Sequence, residues 1–286
     1  VIVESAHSFS GIKKKYTCQE ILEKNIPKYK EKVIIYRNDI YINSNDIRNK
    51  NLGCIDTSSV PLVDYLIENI PYYGGMKEYW INDFFQRELL QCALLELNPN
   101  DSDLVLVSDI DEIPNLNSKQ FLASKKKIII FEQLFCYYKF NLLYDLVPWY
   151  GSRACKKKYL KSFSWLKNLK NKKYPFWRID TLLSNYKEIS VDIIKDGGWH
   201  FTNVMSPEKL FNKLNNFGHH NEFELSNISI NDLKEQIENK MVNYNHLADK
   251  TDQNKYKFNY KLKNLDNELL PEFLRLNKTL YKDWFN

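Results

Sequence analysis

The chain is poor in the residues that mark repetitive, metal-stapled or membrane-spanning proteins. Eight glycines and nine prolines in 286 residues exclude a collagen-like or low-complexity chain. With 43% hydrophobic and 14% aromatic residues, the composition is not that of a disordered protein either. Apolar runs are short: Leu104–Val107 and Ile128–Phe131 fall far below the roughly 18 residues that span a bilayer. No membrane segment is expected in this chain. The five cysteines, Cys18, Cys54, Cys92, Cys136 and Cys155, include no CxxC and no Cys/His pair at ligand spacing, which excludes a zinc ribbon or finger. They read as reduced thiols, and their odd number favours a reducing compartment over secretion. Basic blocks are absent as well. The 41 Lys and Arg exceed the 36 Asp and Glu by five and are scattered among them, so nucleic acid is not an expected partner and a modest preference for anionic ligands is all that follows.

What remains is a globular, aromatic-rich chain of a size that suits one large α/β domain spanning 1–286. Val1–Glu4 and Lys32–Tyr36 read as strands around a helix at Cys18–Asn25, a β-α-β start. Apolar residues at helical spacing from Trp80 to Leu97, stopped by Asn98-Pro99, predict a helix over Tyr79–Leu97. Leu104–Val107 has the length and continuity of a strand covered on both faces. Ile128–Phe131 and Phe135–Phe140 are further strand candidates. Ser206-Pro207 and Ser229-Ile230-Asn231-Asp232 carry helix-start signals, a hydroxyl cap with Pro at N1 and a capping box. The last third, 206–286, is therefore expected to be mainly helical.

The segment with most chemistry is Ser108-Asp109-Ile110-Asp111-Glu112-Ile113-Pro114. Ligands of open α/β sheets collect beyond the carboxyl ends of strands, and three acids stand there. On an extended backbone Asp109 and Asp111 would face one side, with Cα atoms about 7 Å apart. Hard cations such as Mg²⁺ or Mn²⁺ take such carboxylates together with substrate phosphates. The bland alternative is a solvated surface turn. A third possibility is the DxDx(T/V) nucleophile motif of haloacid-dehalogenase-like phosphatases; Ile113 replaces its Thr or Val, and no acidic pair of the GDxxxD kind follows. Asp196-Gly197-Gly198-Trp199-His200-Phe201 is the second constellation. Its glycines would let backbone approach a ligand, with Trp199 stacking on a sugar or base and His200 completing a metal shell. The competing reading puts Trp199 and Phe201 in the core.

Five ordered stretches together resemble the family-17 glycosyltransferases, the β-1,4-mannosyl-glycoprotein 4-β-N-acetylglucosaminyltransferases. They are Val3-Glu4-Ser5 with Phe9-Ser10-Gly11, then Phe85-Gln86-Arg87, Asp103 to Pro114, Gly198 to Phe201, and Lys213 to His219. The resemblance covers residues 1 to about 225. It implies a GT-A-like α/β fold with a mixed, mostly parallel sheet flanked by helices. It also implies an inverting mechanism, a UDP-GlcNAc donor, a glycan acceptor and Mn²⁺ or Mg²⁺. Under it, Asp109, Asp111 and His200 bind metal, while Glu4, Ser5, Arg87, Trp199 and His219 serve the nucleotide or substrate. Glu112 and Asp196 are the candidate catalytic bases. Family members carry a further strand before Val3, so the chain is expected to lack its first strand. A cytoplasmic microbial or viral location is expected, or the Golgi lumen if an N-terminal anchor has been removed. The alternative of another class is a carbohydrate- or nucleotide-sugar-binding protein of the same fold without turnover.

Overall fold

The computed structural model describes residues 1–42, 76–217, 220–248, 252 and 254–286. Its opening elements are β1 (Ile2–Ser5), α1 (Cys18–Asn25), β2 (Ile35–Asn38), α2 (Met76–Glu88) and α3 (Leu90–Leu97). Next come β3 (Leu104–Val107), β4 (Glu112–Pro114), α4 (Lys119–Ala123), β5 (Ile128–Tyr137), β6 (Leu142–Leu143), β7 (Trp149–Lys156) and α5 (Phe163–Asn168). They are followed by β8 (Val191–Ile194), β9 (Gly198–Thr202), α6 (Pro207–Leu214), α7 (His220–Ser226) and α8 (Ile230–Glu238). Three two-residue strands, β10 (Met241–Val242), β11 (Tyr260–Lys261) and β12 (Lys263–Asn264), precede α9 (Glu272–Leu276). The chain is mixed α/β and packs as two compact units.

The first unit holds the described residues of Val1–Asp103, with Lys157–Asn168, Asn216 and Phe217. The expected β-α-β start is present: β1 and β2 pair in parallel from Ile2↔Ile35 to Ser5↔Asn38, and α1 buries Leu22. The predicted helix over Tyr79–Leu97 is two helices, α2 and α3, parted at Leu89. Ile81 and Phe85 of α2 pack with Ile42 and Leu89. α3 ends at Asn98, which takes the left-handed conformation (φ 38°) and donates its N–H to the Leu94 carbonyl, just before the helix-breaking Pro99.

The second unit, Leu104–Lys156, Leu169–Asn215 and the described part of His220–Asn286, is organised around β5. Its near-continuous apolar sequence, IIIFEQLFCY, is covered on both faces, as expected for a central strand. The two predicted strands over 128–140 are this single one. On one edge β5 pairs with β7 and β6; on the other it pairs first with β8, along Ile128–Phe131, and then with β9, along Leu134–Tyr137. Gly197 stands where that edge changes partner. A Cβ there would lie 2.6 Å from both N and O of Glu132, so only glycine permits the handover.

β3 pairs with β7, β4 with β9 and β12 with β6. Two features depart from expectation. The sheet is mixed rather than mostly parallel: β5 has parallel partners in β8 and β9, and the remaining ladders are antiparallel. Among the described residues β3 pairs only with β7 and so lies at an edge of the sheet, with Leu104 47% exposed and Val107 buried. A four-residue apolar run does not distinguish an edge strand from a covered one. The C-terminal third contains α6 to α9 together with β10 to β12. Its two N-caps form as the sequence predicts: Ser206 Oγ accepts from Lys209 N–H, and Ser229 and Asp232 make a reciprocal capping box.

Candidate functional site

Asp109 to Asp111 are not extended. The Glu112 N–H donates to the Asp109 carbonyl at 3.0 Å, closing a tight turn with Ile110 and Asp111 at its centre. This is the bland turn in backbone form, but it is not slack. Glu112 is 5% exposed, and its carboxylate is spanned by donors. Oε1 accepts from Trp149 Nε1–H at 3.0 Å, and Oε2 accepts from the Asp109 backbone N–H at 3.0 Å. Ser152 Oγ, bonded to Ser108 Oγ at 2.6 Å and to Gln133 Nε2 at 3.2 Å, lies 3.5 Å from Oε2. Gly151 makes the room: a Cβ there would come within 2.2 Å of Gln133 Oε1 and 2.5 Å of Glu112 Cδ. Glu112 is thus a strut that fastens the acidic turn to β7.

Above the strut, Asp111 meets β9. Its carbonyl accepts from the Phe201 N–H at 2.9 Å, and its Oδ1 lies 3.6 Å from His200 Nδ1. That nitrogen is buried without a hydrogen-bond partner among the described residues. Burial pushes the imidazole pKa down to about 4, against the pull of the Asp111 charge, so the ring is neutral at physiological pH. Trp149 stacks on it, ring centroids 4.2 Å apart and planes 8° from parallel. Phe135 packs at 5.0 Å. Lys213 of α6 completes the group. Its ammonium donates to Asn203 Oδ1 at 3.0 Å, and its pKa is lowered by burial, with the Asp111 charge opposing. A half-exposed carboxylate and a neutral imidazole therefore meet, with the exposed Asp109 on the same turn and the Lys213 ammonium near enough to feel the Asp111 charge.

The other expected site residues are placed elsewhere. Asp196 lies beyond the Gly198 end of β9, away from His200. It is exposed, and its Oδ1 accepts from Ser118 Oγ at 2.5 Å. Gly198 (φ +112°) approaches protein rather than ligand, since a Cβ would stand 2.1 Å from the Ile113 carbonyl oxygen. Trp199 points to the opposite face of β9 from His200. It packs with Cys136, Phe201 and Leu265 and donates its indole N–H to the Leu269 carbonyl at 2.7 Å, so the core reading holds for both Trp199 and Phe201. Three residues belong to the first unit. Glu4 Oε1 accepts from Thr17 N–H at 2.5 Å and Cys18 N–H at 3.0 Å, capping α1. Ser5 Oγ accepts from His7 N–H at 3.2 Å, and Arg87 is paired within α2 to Asp83 at 3.0 Å. His219 lies outside the described residues.

Trp149 and Lys213 are the members of the site that sequence motifs did not assign. Gly151 carried a usable signal for Trp149, since an interior strand glycine marks close approach of a neighbour. The thiol expectation needs one correction: Cys92 is disulfide-bonded, while Cys18, Cys136 and Cys155 are free. Spacing alone could not reveal that bond, and it removes the cysteine argument for a reducing compartment. Among the described residues no helix is long and apolar enough to cross a membrane, and no three His, Cys, Asp or Glu side chains converge as a ready metal cage. No protein-family model, no curated protein and no solved structure matches the chain.

Proposed function

We propose that the chain is an inverting glycosyltransferase of GT-A-like fold. It would take a sugar, GlcNAc from UDP-GlcNAc by its resemblance to family 17, to a glycan acceptor. The observation that carries this reading is the meeting of Asp111 with the unpartnered, neutral His200 Nδ1 and with Lys213. A buried, neutral imidazole beside a carboxylate suits a divalent cation, and Mn²⁺ or Mg²⁺ commonly takes one or two protein carboxylates and leaves its other positions to phosphates and water. Asp111 and His200 would hold it, with Asp109 on the same turn facing the substrate side. When bound, the cation supplies charge neutralisation to the departing diphosphate. Lys213 adds a second positive charge for the phosphates, Trp149 fixes the plane of His200, and Glu112 holds the turn. The Cys92 disulfide supports a Golgi-type or otherwise oxidising setting over a cytoplasmic one.

One observation favours the second reading, a nucleotide-sugar-binding protein without turnover. Both oxygens of Glu112 already accept protein hydrogen bonds, and Asp196 is tied to Ser118, so neither candidate base is free beside the turn. Incubation with UDP-GlcNAc, Mn²⁺ and a panel of glycan acceptors separates the two. Transfer predicts UDP release that falls by about 100-fold in Asp111→Asn. Saturable Mn²⁺-UDP binding that Asp111→Asn weakens, without UDP release, gives the binding protein. Neither binding nor release removes both.

A further inference from the structure

Residues 170–188 of the second unit build a compact loop with an apolar tip. Its base is closed by the Lys170 N–H donating to the Tyr186 carbonyl at 2.8 Å. Near the tip a short 3₁₀ turn, Ile179–Thr181, is fixed by the buried Thr181, whose hydroxyl donates to the Arg178 carbonyl at 2.5 Å. The turn holds apolar side chains outward. Phe176, Trp177, Ile179, Leu182 and Leu183 are between 68% and 87% exposed, all within eight consecutive residues. Phe176 and Trp177 pack edge to face against each other at 5.1 Å. Isolated exposed apolar residues need no explanation, but five on one ordered tip mark an interaction site.

The shoulder of the loop is basic. Lys170, Lys172, Lys173, Arg178 and Lys187 stand against Asp180 and Glu188, five cations to two acids, so this stretch carries +3 of the chain's +5. Asp180 gathers two of them, accepting from Arg178 at 2.6 Å and from Lys187 at 2.7 Å. Lys173 pairs with Asp192 at 2.9 Å, while Lys170 and Lys172 are exposed and form no salt bridge among the described residues.

We infer that this loop docks the protein on an anionic phospholipid surface. Trp, Phe and Leu side chains at an ordered tip, flanked by lysines, match the layered chemistry of a bilayer face, with acyl boundary below and negative headgroups beside it. A second copy of the chain is the poorer occupant, because a two-fold contact through this tip would bring like-charged shoulders together. The inference is independent of glycosyl transfer.

Flotation of the full chain with vesicles tests it, comparing phosphatidylcholine alone with equal parts phosphatidylcholine and phosphatidylglycerol. Binding is expected to the anionic vesicles and to weaken with salt. The partition coefficient should fall by at least about tenfold in Trp177→Ser/Leu182→Ser/Leu183→Ser and again in Lys170→Glu/Lys172→Glu, with thermal unfolding unchanged. If the triple variant loses its unfolding transition, the lysine variant decides alone. Absence of wild-type binding, equal binding by the variants, or a concentration-dependent dimer that the triple variant abolishes would overturn the inference.

Discussion

Replacing Glu112 by Gln separates a strut from a base. The carboxylate is 5% exposed and receives the Trp149 indole N–H on one oxygen and the Asp109 amide N–H on the other, each at 3.0 Å. Whichever way a glutamine amide is turned, its NH₂ must face one of those donors. One buried N–H then loses its acceptor, at a cost of about 1–3 kcal/mol, and the surviving bond loses its charge assistance. Removing a buried charge returns part of this. The balance is a destabilisation of about 2–3 kcal/mol, or a fall in Tm of about 4–12 °C for a chain of this size. Urea and thermal unfolding followed by near-ultraviolet circular dichroism measure it, with UDP release recorded on the same preparations. A strut predicts that stability falls. Stability unchanged within about 0.5 kcal/mol while UDP release is abolished would make Glu112 a reacting group and refute the reasoning.

Two further expectations follow from buried carboxylates away from the turn. At Glu4 burial pushes the pKa up, but the hydrogen bonds from Thr17 and Cys18 outweigh it and hold the group below its ordinary 4.5. Its contribution is therefore complete above pH 4.5 and is lost as pH falls through the lower folded value; Glu4→Gln should cost about 1 kcal/mol at neutral pH and converge with the wild type in acid, as urea titrations across pH will show. Glu222 and Lys255 form an ion pair at 2.9 Å with side chains 8% and 4% exposed. Glu222→Gln should cost about 3–5 kcal/mol by removing the charge that faces the buried ammonium, and Glu222→Leu/Lys255→Met should recover most of it, measured as a double-mutant cycle in urea.

Legibility followed the range of the interactions. The β1-α1-β2 start and the caps at Ser206 and Ser229 are written in neighbouring residues and formed as read. The strand Leu104–Val107 was also visible, but its edge position depends on Trp149–Lys156, far along the chain. The acidic turn was recognisable as residues and misjudged as geometry, because Glu112 bends back to partners on β7 that no local pattern announces. Glu4 and Arg87 show the converse. Each reads as serving the nucleotide or substrate, and each has a partner within its own unit, Glu4 in the α1 N-terminus and Arg87 in Asp83. Trp149 belongs to no motif, although Gly151 pointed towards it, and Lys213 opens one of the five resembling stretches without a role attached to it.

The acidic turn also has a mechanical meaning. β3 is tied to β7 and β4 to β9, and β7 and β9 run along opposite edges of β5. The few residues from Ser108 to Asp111 therefore join a strand paired to β7 with a strand paired to β9, like a staple laid across a joint. Shear between the two halves of the sheet is delivered to this bridge. Asp111 rides on the bridge and is also pinned to β9, where its carbonyl accepts from the Phe201 N–H at 2.9 Å. The two candidate ligands, Asp111 and His200, are thereby carried on the same edge of the sheet.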